Sequence, residues 1–125
     1  MSADASGTRK LPRSRRIKQG RDFARAKLEG KRAVSGCLIA NWLVMPAGAV
    51  SRVGVITSRK VGESNKRSRA RRLLREAFRL HQAELRRPID LVLVARFSIV
   101  GKAFADVEKD LLIALRRAGL LKETP

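Results

Sequence analysis

Residues 59–79 read RKVGESNKRSRARRLLREAFR, and the periodicity inside this stretch decides how the rest of the chain must be arranged. Ala70, Leu73, Leu74, Ala77 and Phe78 recur at helical spacing, so one stripe of a helix can face a core. Either Ser64 or Asn65 has the side chain of an N-cap. At about 100° per residue, Arg71, Arg72, Arg75 and Arg79 fall in one arc on the opposite side, with Ser68 near its middle and Arg67 and Arg69 flanking it. Between Glu63 and Glu76 there is no carboxylate, so the i,i+4 ion pairs that usually calm a basic helix face are missing. Such a face gains nothing from water alone; a polyanion relieves its repulsion.

The whole composition agrees. Twenty-nine Lys and Arg against eleven Asp and Glu give +18 in a chain of 125 residues, an excess suited to nucleic acid. A hydrophobic content of 44% with clear periodicities indicates one folded domain rather than a basic tail. The single Cys37 has no disulfide partner and, with only His81 beside it in the inventory, makes no ordinary zinc site, which fits a reduced cytoplasmic setting. The opening MSADASGTRKLPRSRR has no apolar signal core, and no apolar run approaches the roughly 18 residues of a membrane span, so neither secretion nor insertion is expected. An aromatic content of 4% also leaves few anchors for a lipid surface.

Residues 1–15 read as a flexible basic arm, residues 16–121 as the domain and 122–125 as a tail. A short helix is expected over 20–28 around Phe23, stopping at Gly30. A strand covered on both faces is expected over 35–45, ended by Pro46 and Gly48, and a second over 52–59. The second has a small side containing Gly54, which serves either close packing or close approach of a ligand. The basic helix runs to about residue 85 and breaks before Pro88; a third strand covers 89–97 and a last helix 102–118, stopped by Gly119. The strands flanking the basic helix belong in one sheet covered by helices on at least one face.

Catalytic chemistry is hard to find in these residues. His81 lies near the end of the basic helix, where a surface role outweighs catalysis. Asp106 and Asp110 are i,i+4 and have the spacing to share a metal, but Lys102 and Lys109 beside them favour a solvated face. Gly62 marks a turn rather than a phosphate loop, since the further glycine and the Lys-Ser or Lys-Thr pair are absent. Cys37 in an apolar strand reads as a buried, inert thiol.

Taken together, RDF from Arg21, RVGV from Arg52, RKVG from Arg59, RLLREAFR from Arg72, DLVLVAR from Asp90 and FADVEKDLLIALRRAGLL from Phe104 resemble the bacterial ribonuclease P protein subunit family. The resemblance spans about residues 11–121. It implies an α/β (α+β) two-layer sandwich like the second domain of ribosomal protein S5, with a left-handed βαβ crossover through the basic helix, against the right-handed general rule. It also implies a cytoplasmic ribonucleoprotein endonuclease that removes the 5′ leader from precursor tRNA. In it a catalytic RNA performs the chemistry with Mg2+ held mainly by that RNA, and the protein is a monomer with no membrane partner.

Carried over residue by residue, the resemblance assigns Arg67, Ser68, Arg69, Arg71, Arg72 and Arg75 to the catalytic RNA, with Ser68 standing where the family has asparagine. It assigns the leader to a cleft between the first helix, the sheet face and the basic helix, using Phe23, Lys27, Arg59 and Lys60. Phe23 would stack on a base or pack against its sugar; Lys27 replaces the family's second aromatic by a charge. The family aromatic near Asn41 is shifted or absent, leaving Trp42 to the core. Rival readings are a ribosomal or RNA-chaperone protein and a metal-dependent nuclease working without RNA.

Overall fold

The computed structural model describes residues 11–122; the expected arm over 1–10 and the tail from 123 lie outside them. Three α-helices and four strands follow one another as α1 (Gly20–Glu29), β1 (Lys31–Ser35), β2 (Leu38–Val44), β3 (Arg52–Ile56), α2 (Ser64–His81), β4 (Ile89–Ala95) and α3 (Phe104–Arg117). The strands form one mixed sheet in the order β1-β2-β4-β3. β4 runs antiparallel to β2 and parallel to β3, so α2 is the crossover between neighbouring parallel strands.

Alternation along β4 sorts the core. Ile89, Leu91, Leu93 and Ala95 face the larger cluster, where Leu74, Ala77 and Phe78 of α2 meet Val107, Leu111, Ala114 and Leu115 of α3. Trp42 is buried in that cluster, as expected. Val92 and Val94 face the other way and, with Ile17, Phe23, Ala26 and Ile56, anchor α1 to the opposite face. The apolar stripe read from residues 59–79 is the buried face of α2.

β1 is the element the sequence reading missed. Residues 35–45 were expected as one strand, but Gly36 at φ +53° turns the chain and pairs Ser35 with Leu38, so a hairpin replaces the single strand. β1 carries Lys31 and Arg32 and is half exposed, as suits an edge, and so lacks the apolar signature of a strand. The chain packs Gly36 directly against the Asp110 carboxylate, which leaves no room for a Cβ there. Neither Ser64 nor Asn65 caps α2. Glu63 occupies the N-cap without a side-chain bond, and Asn65 Oδ1 accepts instead from the Lys66 N–H at 2.8 Å.

The expected arm also gives way to fixed structure before residue 16. Leu11 is buried, residues 13–15 form a helical turn, and Arg16 bridges in parallel to Val53 on the outer edge of β3, with the Ile17 N–H donating to the Val53 carbonyl at 2.8 Å. Two apolar anchors, Leu11 and Ile17, hold this basic segment down despite its composition.

Candidate RNA-binding cleft and groove

β3 brings the first hollow into being. Arg52, Gly54 and Ile56 point to the α1 side of the sheet, and at Gly54 an added Cβ would lie 2.6 Å from Phe23 Cζ. Glycine is required so that the Phe23 ring can lie against the strand, which settles Gly54 as a close-packing position. Arg52 fixes the height of α1 over this strand. Its guanidinium donates to both Asp90 oxygens, from Nε at 3.0 Å and NH2 at 2.6 Å, and stands 3.6 Å from Asp22 of α1. These two carboxylates, Asp90 first, hold the Arg52 guanidinium above its ordinary value.

The result is a cleft of about 430 Å³ over the outer edge of β3, lined by Arg13, Arg16, Ile17, Lys18, Phe23, Val53, Gly54, Val55 and Arg75. None of these is a carboxylate. An aromatic ring and apolar strand atoms form one wall, and the four cations Arg13, Arg16, Lys18 and Arg75 rim it, a surface for stacking bases and holding phosphates. Phe23 lies where the sequence reading put it. Lys27, Arg59 and Lys60 are exposed and do not line the cleft: Lys27 points outward on α1, and Arg59 and Lys60 sit in a helical turn after β3, which ends at Ile56 rather than at residue 59. Arg13, Arg16 and Lys18 line it instead; the apolar pair Leu11 and Ile17 was the available signal that this segment is fixed.

A second hollow of about 410 Å³ runs along α2, lined by Leu11, Arg16, Ser68, Arg72, Arg75, Glu76 and Arg79. It gathers Ser68, Arg72 and Arg75 from the expected RNA-binding set. The others point elsewhere. Arg69 donates to the Lys102 carbonyl at 2.9 Å, and Arg71 donates to Thr57 Oγ1 at 2.8 Å and to Ser68 Oγ at 3.1 Å. Arg67 is half-buried, and its Nε has no hydrogen-bond partner among the described residues. Arg79, read as part of the cationic arc, is paired with Glu76, which is held below the usual carboxylate range mainly by that bond. Its charge is therefore offset. Burial, and then the cations of Arg16 and Arg71, pull the Arg75 guanidinium below its ordinary value.

The residues set aside in the sequence are occupied structurally. Asp106 accepts the Ala103 N–H at the start of α3, and Asp110 accepts the Cys37 N–H at 2.9 Å, so the two do not converge. Burial, then Asp110, pushes the Cys37 thiol up to about 12, which makes it inert. His81 lies between Glu84 and Glu108, each 2.7 Å away. Among the described residues no three His, Cys, Asp or Glu side chains cluster to hold a metal ion.

Fold, cleft and groove define a small RNA-binding protein. Its sequence matches the model of the Ribonuclease P family over residues 11–119, and the chain belongs to that family. It is 35% identical over 112 residues to the ribonuclease P protein component of Clostridium novyi, covering 88% of this chain and 98% of the relative. The corresponding protein of Clostridium acetobutylicum is 32% identical over 110 residues, 85% of this chain and 90% of the relative. The RNase P protein from Thermotoga maritima superposes with a TM-score of 0.72 at 27% identity, over 82% of this chain and 96% of that one. The Staphylococcus aureus RNase P protein shares the fold with a TM-score of 0.77 at 22% identity, over 86% and 98%. The chain is thus a subunit of ribonuclease P, the metal-dependent ribonucleoprotein that matures the 5′ end of tRNA, with an RNA partner and precursor tRNA as the holoenzyme's substrate.

Proposed function

We propose that this subunit holds the single-stranded 5′ leader of precursor tRNA in the cleft over Phe23 and Gly54, and docks on a catalytic RNA through α2. The observation that carries this is the cleft itself: an aromatic ring on a strand edge, rimmed by Arg13, Arg16, Lys18 and Arg75, with no carboxylate lining it among the described residues. On this reading Ser68 and Arg72 meet the catalytic RNA directly, Arg75 stands where the groove joins the cleft, Arg67 and Arg69 flank them, and Ser68 also orients Arg71 by accepting its hydrogen bond. Lys27, Arg59 and Lys60 then act at longer range, as exposed charges beside the path of the leader rather than as parts of its wall.

The side chains do not fit a protein-held magnesium ion, since neither a ligand cluster nor a cleft carboxylate is present among the described residues. We place Mg2+ on the RNA, where it would activate water and stabilise the leaving oxygen. The protein's part is to supply cations where two RNAs meet, acting as a monomer in the cytoplasm. Reconstitution with a bacterial ribonuclease P RNA tests this across a magnesium titration. The protein is expected to raise the rate of leader removal most at low magnesium. Equal rates with and without protein at every magnesium concentration reject it, as does leader removal by the RNA-free protein.

A further inference from the structure

Arg16 and Arg75 are the two side chains that line both hollows, the cleft over β3 and the groove along α2. They come from distant parts of the chain, Arg16 from the segment clamped on the edge of β3 and Arg75 from the middle of α2. No carboxylate is bonded to either among the described residues; Glu76, the one acid in the groove lining, is taken by Arg79. The Arg16 Nε is buried without a hydrogen-bond partner among the described residues. Arg75 is half-buried and feels Arg16 as a like charge. Two guanidinium groups held in this way, one with an unused donor, cost free energy until an anion sits between them.

We infer that Arg16 and Arg75 form a two-arginine clasp for one phosphodiester of the leader, at the point where the strand leaves the cleft and passes over α2. The inference rests on the leader-cleft reading and adds to it a residue, Arg16, and a route: the leader exits along α2, toward the groove that faces the catalytic RNA. Arg16 is a fixed donor, because its backbone is bridged to Val53 and its neighbour Ile17 is bonded to the same residue. The backbone from which it reaches toward Arg75 is therefore placed by the fold before RNA arrives.

The test uses holoenzyme assembled with saturating protein, so that assembly is not the readout, and compares affinity for precursor tRNA bearing a leader with affinity for mature tRNA. Arg16→Gln is expected to weaken leader-bearing substrate about tenfold, the loss of one charge-assisted contact, and to leave mature tRNA within about twofold. The slope of log affinity against log salt should fall by about 0.7, the value for one single-strand phosphate. Arg16→Lys keeps a cation and should restore the slope but not the whole affinity. In an Arg75→Gln background, Arg16→Gln should cost much less than alone, because either change dismantles the clasp. Independent, multiplicative losses in the double variant overturn the clasp, and so does an equal loss for mature and leader-bearing tRNA. If Phe23→Ala weakens leader binding and Arg16→Gln does not, the cleft stands and the clasp is wrong; if neither has an effect, the cleft reading itself falls. An Arg16→Gln protein with a lowered melting temperature would also overturn it, since relief of like-charge repulsion should leave the fold as stable or more so.

Discussion

The two ends of α2 treat charge in opposite ways. Toward its C-terminus every nearby carboxylate has a partner: Glu76 holds Arg79, and Glu84 and Glu108 hold His81 from two sides. Along its first three turns and across the cleft the cations outnumber the acids among the described residues, and there Arg16 and Arg67 keep buried donors unused. The same helix therefore has one end finished by the protein and one left open for a polyanion. Net charge alone, +18, would not have shown this; the pairing of individual residues does.

The sharpest way to break the contrast is at its structural hinge. Arg52→Ala leaves Asp90, which is 4% exposed, buried without its partner and is expected to cost about 3 kcal/mol of stability, seen as a lowered denaturation midpoint. A midpoint unchanged from the parent would mean that the Arg52–Asp90 pair does not hold β3 to β4. Phe23→Ala comes next. It should weaken leader-bearing precursor tRNA by about 1–3 kcal/mol while mature tRNA binding holds; a parallel loss for both RNAs together with a lower melting temperature would make Phe23 an anchor of α1 only.

Within α2 the comparison can be made between single arginines. Arg72→Ala should reduce the salt dependence of assembly by about one unit of slope, whereas Arg79→Ala, which removes a cation already offset by Glu76, should change it little. Equal slopes for the two variants would erase the distinction between open and finished ends. The smallest effect concerns His81. Burial pulls its imidazole down, but the hydrogen bonds to Glu108 and Glu84 outweigh that and set its folded value above the ordinary one. Its contribution to stability is then complete below the unfolded pKa, about 6.5, and fades as pH rises through the raised folded value. His81→Gln should therefore lose more stability at pH 5.5 than at pH 9, by denaturant midpoint; a constant difference would show that the bridge does not depend on the imidazole's charge.

The sequence carried the interior well and the edges poorly. α2, β4 and α3 were legible because their apolar residues repeat at one period and are buried on it. β1 was not, since an edge strand beginning Lys31-Arg32 has one wet side and charges that read as loop. Of the residues that line the two hollows, Phe23, Arg72 and Arg75 were singled out by their motif, but Arg13, Arg16 and Lys18 were hidden in a segment whose composition resembles a disordered arm. Their fixation depends on Leu11 and Ile17 finding the core, a long-range event to which only that apolar pair in a basic stretch pointed. Arg79 failed in the opposite sense: helical angle put it in the cationic arc, but a carboxylate three residues earlier claims it.

The position of β4 sets the order in which this molecule can assemble. It is the last strand in the chain, yet it lies between β2 and β3, which do not touch one another in the sheet. A nascent chain that has made everything up to α2 has the β1–β2 hairpin and a lone β3, but no sheet surface against which the stripe of Ala70, Leu74, Ala77 and Phe78 can close. The arginine face therefore emerges before the sheet that buries its opposite stripe is complete, and that sheet closes only when residues 89–95 insert between their two neighbours.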